Sequence, residues 1–527
     1  MSSTAVAGDP AADDTPAADP RATWLIVAGL TALAAILRFY RLGHQGFWFD
    51  EANTALLVHF SPGRMLGLVP QTESTPPLYY IVAWVWARLV GTDEAGLRSL
   101  SALAGVAVVP VAYATGAKLT GRRAGLILAA ITACSPLLVW YSQEARSYEL
   151  LVALSALTML AFAYARAQPS PMIVGAWVAA SALSLGTHYY AVVSVAPQAA
   201  WLLIERRRSR AVQVGVAAVG LCGAALIPLA LSQNATGHGS WIANSPLGLR
   251  LAQIIPQFLI GTGAPARTAL KFAAITLAAV ALVLLARDAA AGLRSGRGRA
   301  RPSGASVAAF LAIGGFLLSL LFTAAGSDAL ITRNIIALWL PAAIVVSAGL
   351  AAARPRMLRA ALTAAICAIS LTAVIGVALQ YDLQRPDWRP VARMLGAAPP
   401  APSAGGSAVD GRAILIQHYR TLLPLSLYMP HLEFWSHRTE RIAEIDVISI
   451  SSPQQPLCWW GAACNLIPSR MQRSYPIPGF RELWTRHVHR FTIMRLVAGR
   501  PVTLTPSEVG RALRSTRLIR DDLLLQR

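Results

Sequence analysis

Charge is what this sequence has least of. Of its 527 residues only 13% are Asp, Glu, Lys or Arg, against roughly 25% in a soluble globular chain. Hydrophobic residues make up 55% and the mean hydropathy is +0.50, so too little polar surface remains to cover a water-soluble particle. A purely soluble enzyme is excluded, and so are a disordered chain and a fibrous repeat. Lysine is almost missing: Lys118 and Lys271 are the only two, and arginine carries the net charge of +21. In an apolar chain that excess reads as membrane orientation rather than as a nucleic-acid footprint, and no nucleic-acid partner is expected. Cysteine is scarce, with five residues. Cys134, Cys222 and Cys367 fall in apolar runs and read as small hydrophobes. Cys458 and Cys464 fall in a less apolar region, where an oxidising compartment favours a disulfide between them. No metal-ligand spacing occurs, so no metal is expected, and no cofactor.

What the sequence has in abundance is apolar runs. A helix needs about 20 apolar residues to cross the bilayer's hydrocarbon layer. Such runs begin near Trp24, Ser99, Ala124, Leu150, Met172, Tyr189, Ala211, Ala269, Ala305, Asn334 and Ala360. The stretch Pro77–Val90 is apolar but short, and charge parity decides its role. Basic clusters lie at Lys118/Arg122/Arg123, Arg206/Arg207/Arg208/Arg210, Arg287–Arg301 and Arg354/Arg356/Arg359. If Pro77–Val90 does not span, all four share one side with the N-terminus, as the positive-inside rule requires. The expectation is therefore eleven spans, N-terminus inside and C-terminus outside, in the cell membrane. Arg38 and Arg41, near the outer end of the first span, break the charge rule and need a local partner or must snorkel.

Residues 1–22 are rich in Ala, Pro and Asp and read as a disordered cytoplasmic tail. Residues 23–380 form the membrane module, with a first outer loop over 41–97. Residues 381–527 are less apolar and interrupted by Pro, Gly and Ser at Ala397–Gly406. The strand-like runs Ala413–Gln417 and Val447–Ile450 predict a small extracytoplasmic α/β domain there.

Five polar signals fall on the outer side of this topology. Phe47-Trp48-Phe49-Asp50-Glu51-Ala52 sets two carboxylates just beyond a span, where an acidic group is costly unless used or paired. Read alone, the pair is equally well a helix start, with Asp50 as cap and Glu51 in the first turn. Trp140–Tyr148 carries Glu144, Arg146 and Tyr148, which alone also suit an aromatic belt. Thr75–Tyr80 is explained by proline at a first helical turn. Arg333-Asn334 opens the tenth span after Asp328. His188-Tyr189-Tyr190 read alone is more often a packed interfacial group than a catalyst. Together these residues suit an enzyme acting on a lipid-linked anion. Arginines would grip a phosphate, and a carboxylate would take a hydroxyl proton, a contribution of roughly 10²–10⁴-fold. The loop at 232–268, with His238, Trp241 and Asn244, is a candidate wall of the acceptor site.

At these residues the chain resembles the GT-C superfamily of polyprenyl-phosphate-sugar-dependent glycosyltransferases. The likeness is to the branch holding protein O-mannosyltransferases and the aminoarabinose transferase of lipid A. The matching stretches are Leu37–Gly43, Phe47–Ala52, Pro76–Tyr80, Tyr141–Tyr148, Arg333-Asn334 before Pro341, and Asp387–Ala392. The resemblance implies a polytopic α-helical fold with inverting transfer from a polyprenyl-phosphate sugar to an acceptor hydroxyl on the extracytoplasmic face. It implies Asp50 as general base, Glu51 as a group orienting base or acceptor, and Glu144 as a second acidic position. Arg146 and Arg333 would bind the lipid phosphate, with Tyr148 beside them; His188 joins them by location alone. Unlike eukaryotic protein mannosyltransferases, the chain lacks an obvious inserted β-trefoil, so the resemblance does not single out a protein as acceptor over a glycan or a glycolipid. A polytopic transporter or flippase would instead show ionisable residues near mid-span or repeated broken helices. A scaffold whose outer domain does the binding would leave Asp50 and Glu51 dispensable.

Overall fold

The computed structural model describes residues 20–243, 245–294, 302–397, 411–416, 422–435, 438–450, 477–512 and 523–527. The tail at 1–19, Asn244, Cys458 and Cys464 lie outside the described residues, and with them the disulfide expectation.

Each of the eleven apolar runs is helical, but they differ in length. Among the described residues, seven helices are long and apolar enough to cross a membrane: Pro20–Phe39, Glu94–Thr120, Ser147–Ala167, Arg210–Ala235, Arg267–Arg294, Gly304–Ala324 and Arg356–Leu379. An eighth, Arg122–Cys134 with Pro136–Ser142, bends by 52°. Pro136 starts the second piece, with the Ser135 hydroxyl accepting from the Leu138 N–H, so the bend sits where proline removes a backbone donor. Three further runs are shorter helices: Pro171–Thr187, Val192–Arg206 and Trp339–Ala351. Their ends explain the shortening. His188 stops the first, a 3-10 turn at Tyr189–Ala191 precedes the second, and another at Ile336–Leu338 precedes the third. Irregular backbone within a membrane bundle is tolerated where it lines a cavity, and all three breaks fall at one end of the molecule. Pro77–Val90 is a helix of 13 residues, Leu78–Val90.

Arg38 has the local partners its position demands. It is fully buried and donates to Ser142 Oγ at 3.1 Å and to the carbonyls of Ala133 and Thr132 at 3.0 and 3.2 Å. Gly105 makes room for this cluster: a Cβ there would lie 2.1 Å from Ser142 Oγ and 2.7 Å from both Arg38 Nε and Glu149 Oε1. Arg41 stays exposed, against His44 and the Ala378 carbonyl.

The C-terminal region is a small α/β domain, as its strand-like runs predict. Its strands are β1 (Gly411–Ile416), β2 (Leu432–Phe434), β3 (Glu440–Ile450), β4 (Phe480–Val488), β5 (Phe491–Leu504) and β6 (Leu523–Gln526). They form one sheet in the order β2-β6-β1-β3-β5-β4, with β1 and β3 parallel and the other pairs antiparallel. Strand β1 is buried throughout, which explains its unbroken apolar run Ala413–Ile416. The helix Trp388–Leu395 packs on the sheet through Trp388, Val391 and Leu395. Beside the end of this helix, across the neighbouring strands β1, β3 and β5, Arg412 and Arg495 are paired with Glu444 and Asp446.

Candidate active site

The helix Phe49–Leu57 lies within the first outer loop, with Asp50 and Glu51 in its first turn, where the helix dipole favours negative charge. Adjacent residues on a helix point about 100° apart, and here that separates two roles. Glu51 is fully buried and saturated: Arg98 donates to it from Nε at 2.7 Å and Nη2 at 2.6 Å, and the Ala145 N–H at 2.8 Å. Arg98 also holds the carbonyls of Leu42, Gln45 and Gly46. Glu51 therefore ties the first loop to the span Glu94–Thr120. The expectation that Glu51 meets an acceptor is corrected, because its carboxylate faces Arg98 and not open space.

Asp50 faces a cavity of about 720 Å³ at the end of the bundle where the helices break. Its walls also carry Asn53, Glu73, Thr75, Arg146, Tyr148, His188, Arg333 and Asn334. All five polar signals thus place a charged or hydrogen-bonding group on one cavity, the Thr75–Tyr80 stretch through Thr75. His238 and Trp241 from the 232–268 loop line it too; Asn244 is outside the described residues. Leu422, Leu423 and Phe434 of the C-terminal domain complete the wall.

Arg333 Nη1 lies 2.9 Å from Asp50 Oδ2. Its guanidinium sits between the rings of Tyr148 and Trp241, 5.5 and 5.3 Å from their centroids, and its Nε is buried without a hydrogen-bond partner. Arg146 is engaged differently. It grips Glu73 through two parallel bonds, Nη1 to Oε1 at 2.7 Å and Nη2 to Oε2 at 2.8 Å, the bidentate geometry that arginine makes with a carboxylate. Nη1 also reaches the Asp50 carbonyl at 3.2 Å, and Asn53 donates to Glu73 at 2.6 Å. Arg146 thus lines the cavity with its charge paired to Glu73 and, like Arg333, with its Nε buried without a hydrogen-bond partner. Sequence reasoning missed Glu73, although it is the sole acidic residue between Glu51 and Asp93.

Glu144 does not reach the cavity. It is buried behind it, with Arg385 Nη2 at 2.8 Å and Oε1 unpartnered. Burial raises its pKa above the usual carboxylate value, against the lowering effect of Arg385. Arg385 in turn packs over Trp140, 4.1 Å from the ring centroid. Glu144, expected as a second acidic position, thus lies outside the cavity lining, held by an arginine from the start of the C-terminal domain.

His188 accepts from the Tyr190 N–H at Nδ1, at 3.1 Å. That fixes the tautomer with the proton on Nε2. Burial, reinforced by Arg333 and Arg146, pushes its pKa down to about 3. It is a neutral donor beside two cations, not a third cation. Tyr148 packs between Tyr141 and His188, at 5.0 and 5.8 Å between centroids. Among the described residues, no three His, Cys, Asp or Glu side chains group as a metal site would require.

The family profile of dolichyl-phosphate-mannose-protein mannosyltransferases matches residues 74–231. That stretch includes Thr75, Arg146, Tyr148 and His188 but neither Asp50 nor Arg333. No curated protein matches the sequence. Among solved structures, ArnT from Cupriavidus metallidurans bound to undecaprenyl phosphate is similar at 12% identity. Its TM-score is 0.52, over 89% of this chain and 97% of that one. The same protein in the apo state gives 12% identity and 0.52 over 90% and 98%. The Archaeoglobus fulgidus oligosaccharyltransferase gives 11% and 0.42 over 77% and 62%. The chain is a multi-pass membrane protein whose fold resembles that of ArnT over nearly its whole length. Within that fold it carries a stretch of mannosyltransferase-like sequence.

Proposed function

We propose that the protein is a glycosyltransferase that moves a sugar from a polyprenyl phosphate to an acceptor hydroxyl within the cavity bearing Asp50. The donor's phosphate binds Arg333, with the Nε2–H of His188 as a second donor, and its isoprenoid tail leaves among the apolar helices. Asp50 takes the acceptor proton as the acceptor oxygen attacks the anomeric carbon. The bond from that carbon to the phosphate oxygen breaks on the opposite face, so the configuration inverts. The electron pair leaves with the phosphate, where Arg333 stabilises the developing charge. Glu73 orients Arg146 along the cavity wall, and Glu51 fixes the helix that carries Asp50. Neither a metal nor a cofactor is needed for this chemistry.

The observation that carries the reading is the Asp50–Arg333 pair. A carboxylate and an arginine of opposite duty share one large cavity in an apolar bundle. Among the described residues, Lys118/Arg122/Arg123, Arg206/Arg207/Arg208/Arg210, Arg287/Arg294 and Arg354/Arg356/Arg359 lie toward the helix ends away from the cavity, which supports an extracytoplasmic site by the positive-inside rule. The related fold was solved with undecaprenyl phosphate, and the matching family's name includes a dolichyl-phosphate sugar. Mannose and pentoses such as arabinose are both candidate donor sugars, and the acceptor is a glycan, a glycolipid or a protein. The test is incubation of purified protein with a panel of polyprenyl-phosphate sugars, read by mass spectrometry. Transfer or hydrolysis of one donor is expected; an intact panel, with acceptor extracts present, overturns the reading.

A further inference from the structure

The segment that delivers Asp50 to the cavity is held from the far end of the chain. The Phe47 N–H donates to Tyr428 Oη at 2.6 Å across 381 residues, and the Tyr428 hydroxyl donates to Glu94 Oε1 at 2.6 Å. One residue earlier, the Gly46 N–H donates to Asp387 Oδ1 at 2.9 Å. Arg389, in the first turn of the helix that Asp387 caps, pairs with Glu94. From the opposite side Arg98 Nη2 takes the Gly46 carbonyl at 3.0 Å. Successive peptide groups are thus gripped on both faces immediately before the helix carrying Asp50. The fit is close: a Cβ on Gly46 would lie 2.7 Å from Asp387 Oδ1 and 2.9 Å from Tyr428 Oη. Beside this junction Leu423 packs into the same apolar cluster as Phe47 and Ala52, while also lining the cavity.

We propose that Tyr428 is a positioning residue for Asp50, which makes the C-terminal domain a working part of the active site rather than an appendage. The inference rests on the transferase reading above. The physical reason is geometric. The Phe47 N–H precedes the helix's own hydrogen bonds, so without Tyr428 the loop regains rotation about the Gly46–Trp48 backbone. Asp50, two residues further, then samples positions away from the attacking hydroxyl. Effective positioning of a base is sensitive to shifts of about 1 Å. Donor binding depends on Arg333, which enters from another loop and does not touch this junction.

The experiment uses the full-length protein in nanodiscs with Tyr428→Phe, which keeps the ring and removes only the hydroxyl. Expected are a roughly tenfold fall in kcat, equivalent to one lost hydrogen bond of about 1.4 kcal/mol in the transition state, and a donor KM within about twofold of wild type. Hydrogen exchange over 44–53 should speed up. Asp387→Asn, which retains an acceptor oxygen for Gly46 and for the Arg389 N–H, should stay near wild type, whereas Asp387→Ala should resemble Tyr428→Phe. Wild-type kcat in Tyr428→Phe overturns the proposal. So does a loss spread equally over kcat, undecaprenyl phosphate binding and thermal midpoint with unchanged exchange at 44–53, because that is a purely structural role. If wild type transfers no sugar from any donor, the transferase reading fails. The exchange arm then still decides whether Tyr428 holds the loop.

Discussion

Arg333 reaches Asp50 across 283 residues, with Nη1 2.9 Å from Oδ2, so the group assigned to bind phosphate holds the group assigned to take the proton. An arriving phosphate competes with Asp50 for that guanidinium. Asp50→Asn removes the competing charge together with the base. Two opposite effects are expected: transfer falls by about 10²–10⁴-fold, while affinity for undecaprenyl phosphate rises several-fold. Lipid-phosphate titration of the purified variant checks the second effect. Equal or weaker binding would show that the ion pair does not stand in the way of the ligand, and near wild-type transfer would remove Asp50 as base.

Arg146 and Glu73 call for a different outcome from a simple phosphate ligand. The pair is buried and bidentate, and removing one partner leaves the other charged in a site of low dielectric. Breaking such a pair costs about 3–5 kcal/mol. Arg146→Ala should therefore lower the thermal midpoint and the yield of folded protein. Glu73→Gln should be milder, since the amide oxygen still accepts from Arg146. If Arg146→Ala folds as well as wild type and loses only donor affinity, Arg146 is a phosphate ligand after all.

His188 supplies a pH dependence with a definite sign. Its pKa in the folded protein is pushed down to about 3 by burial and by Arg333 and Arg146, below the unfolded value of about 6.5. The unfolded chain therefore binds this proton more readily. The stability associated with neutral His188 is complete above the unfolded pKa and is lost as pH falls from there toward 3. Thermal midpoints should drop between pH 7 and 5, and His188→Gln should flatten that part of the curve. A His188→Gln curve parallel to wild type over this range would contradict the neutral assignment.

Much of this arrangement is legible in the chain before folding, and the division has a physical basis. Membrane class follows from composition, and the α/β domain follows from the apolar run of β1. Asp50, Arg146, Tyr148, His188 and Arg333 reach one cavity because each lies where a helix starts or stops at one end of the bundle, and span parity is countable. What escapes is the choice of partner. Nothing local distinguishes Glu51 from Asp50, yet Arg98, 47 residues away, takes one and leaves the other. Arg385 and Glu73 are equally silent in sequence, because each is selected by tertiary approach rather than by spacing. Helix lengths escape for a related reason. Aromatic and apolar residues continue through Tyr189–Ala191 and Ile336–Leu338, so hydropathy does not register that the backbone unwinds there.

The side of the membrane that the cavity faces is testable with two cysteines. Gly63 is exposed in the first loop, with no atom within 4 Å of a Cβ built there, so Gly63→Cys introduces a thiol without strain. Arg208 is exposed in the basic turn after Val192–Arg206, at the opposite end of a helix whose other end meets the cavity at Tyr190. The native Cys134, Cys222 and Cys367 are buried or half-buried, and replacing all five cysteines by serine or alanine gives a clean background. An impermeant maleimide should then label Gly63→Cys in intact cells, and Arg208→Cys only after permeabilisation. The arginine excess would hold the basic turn on the cytoplasmic side, where the positive-inside rule operates. The reverse pattern would turn the whole bundle over, put the 720 Å³ cavity on the cytoplasmic face, and require the donor lipid to present its sugar there.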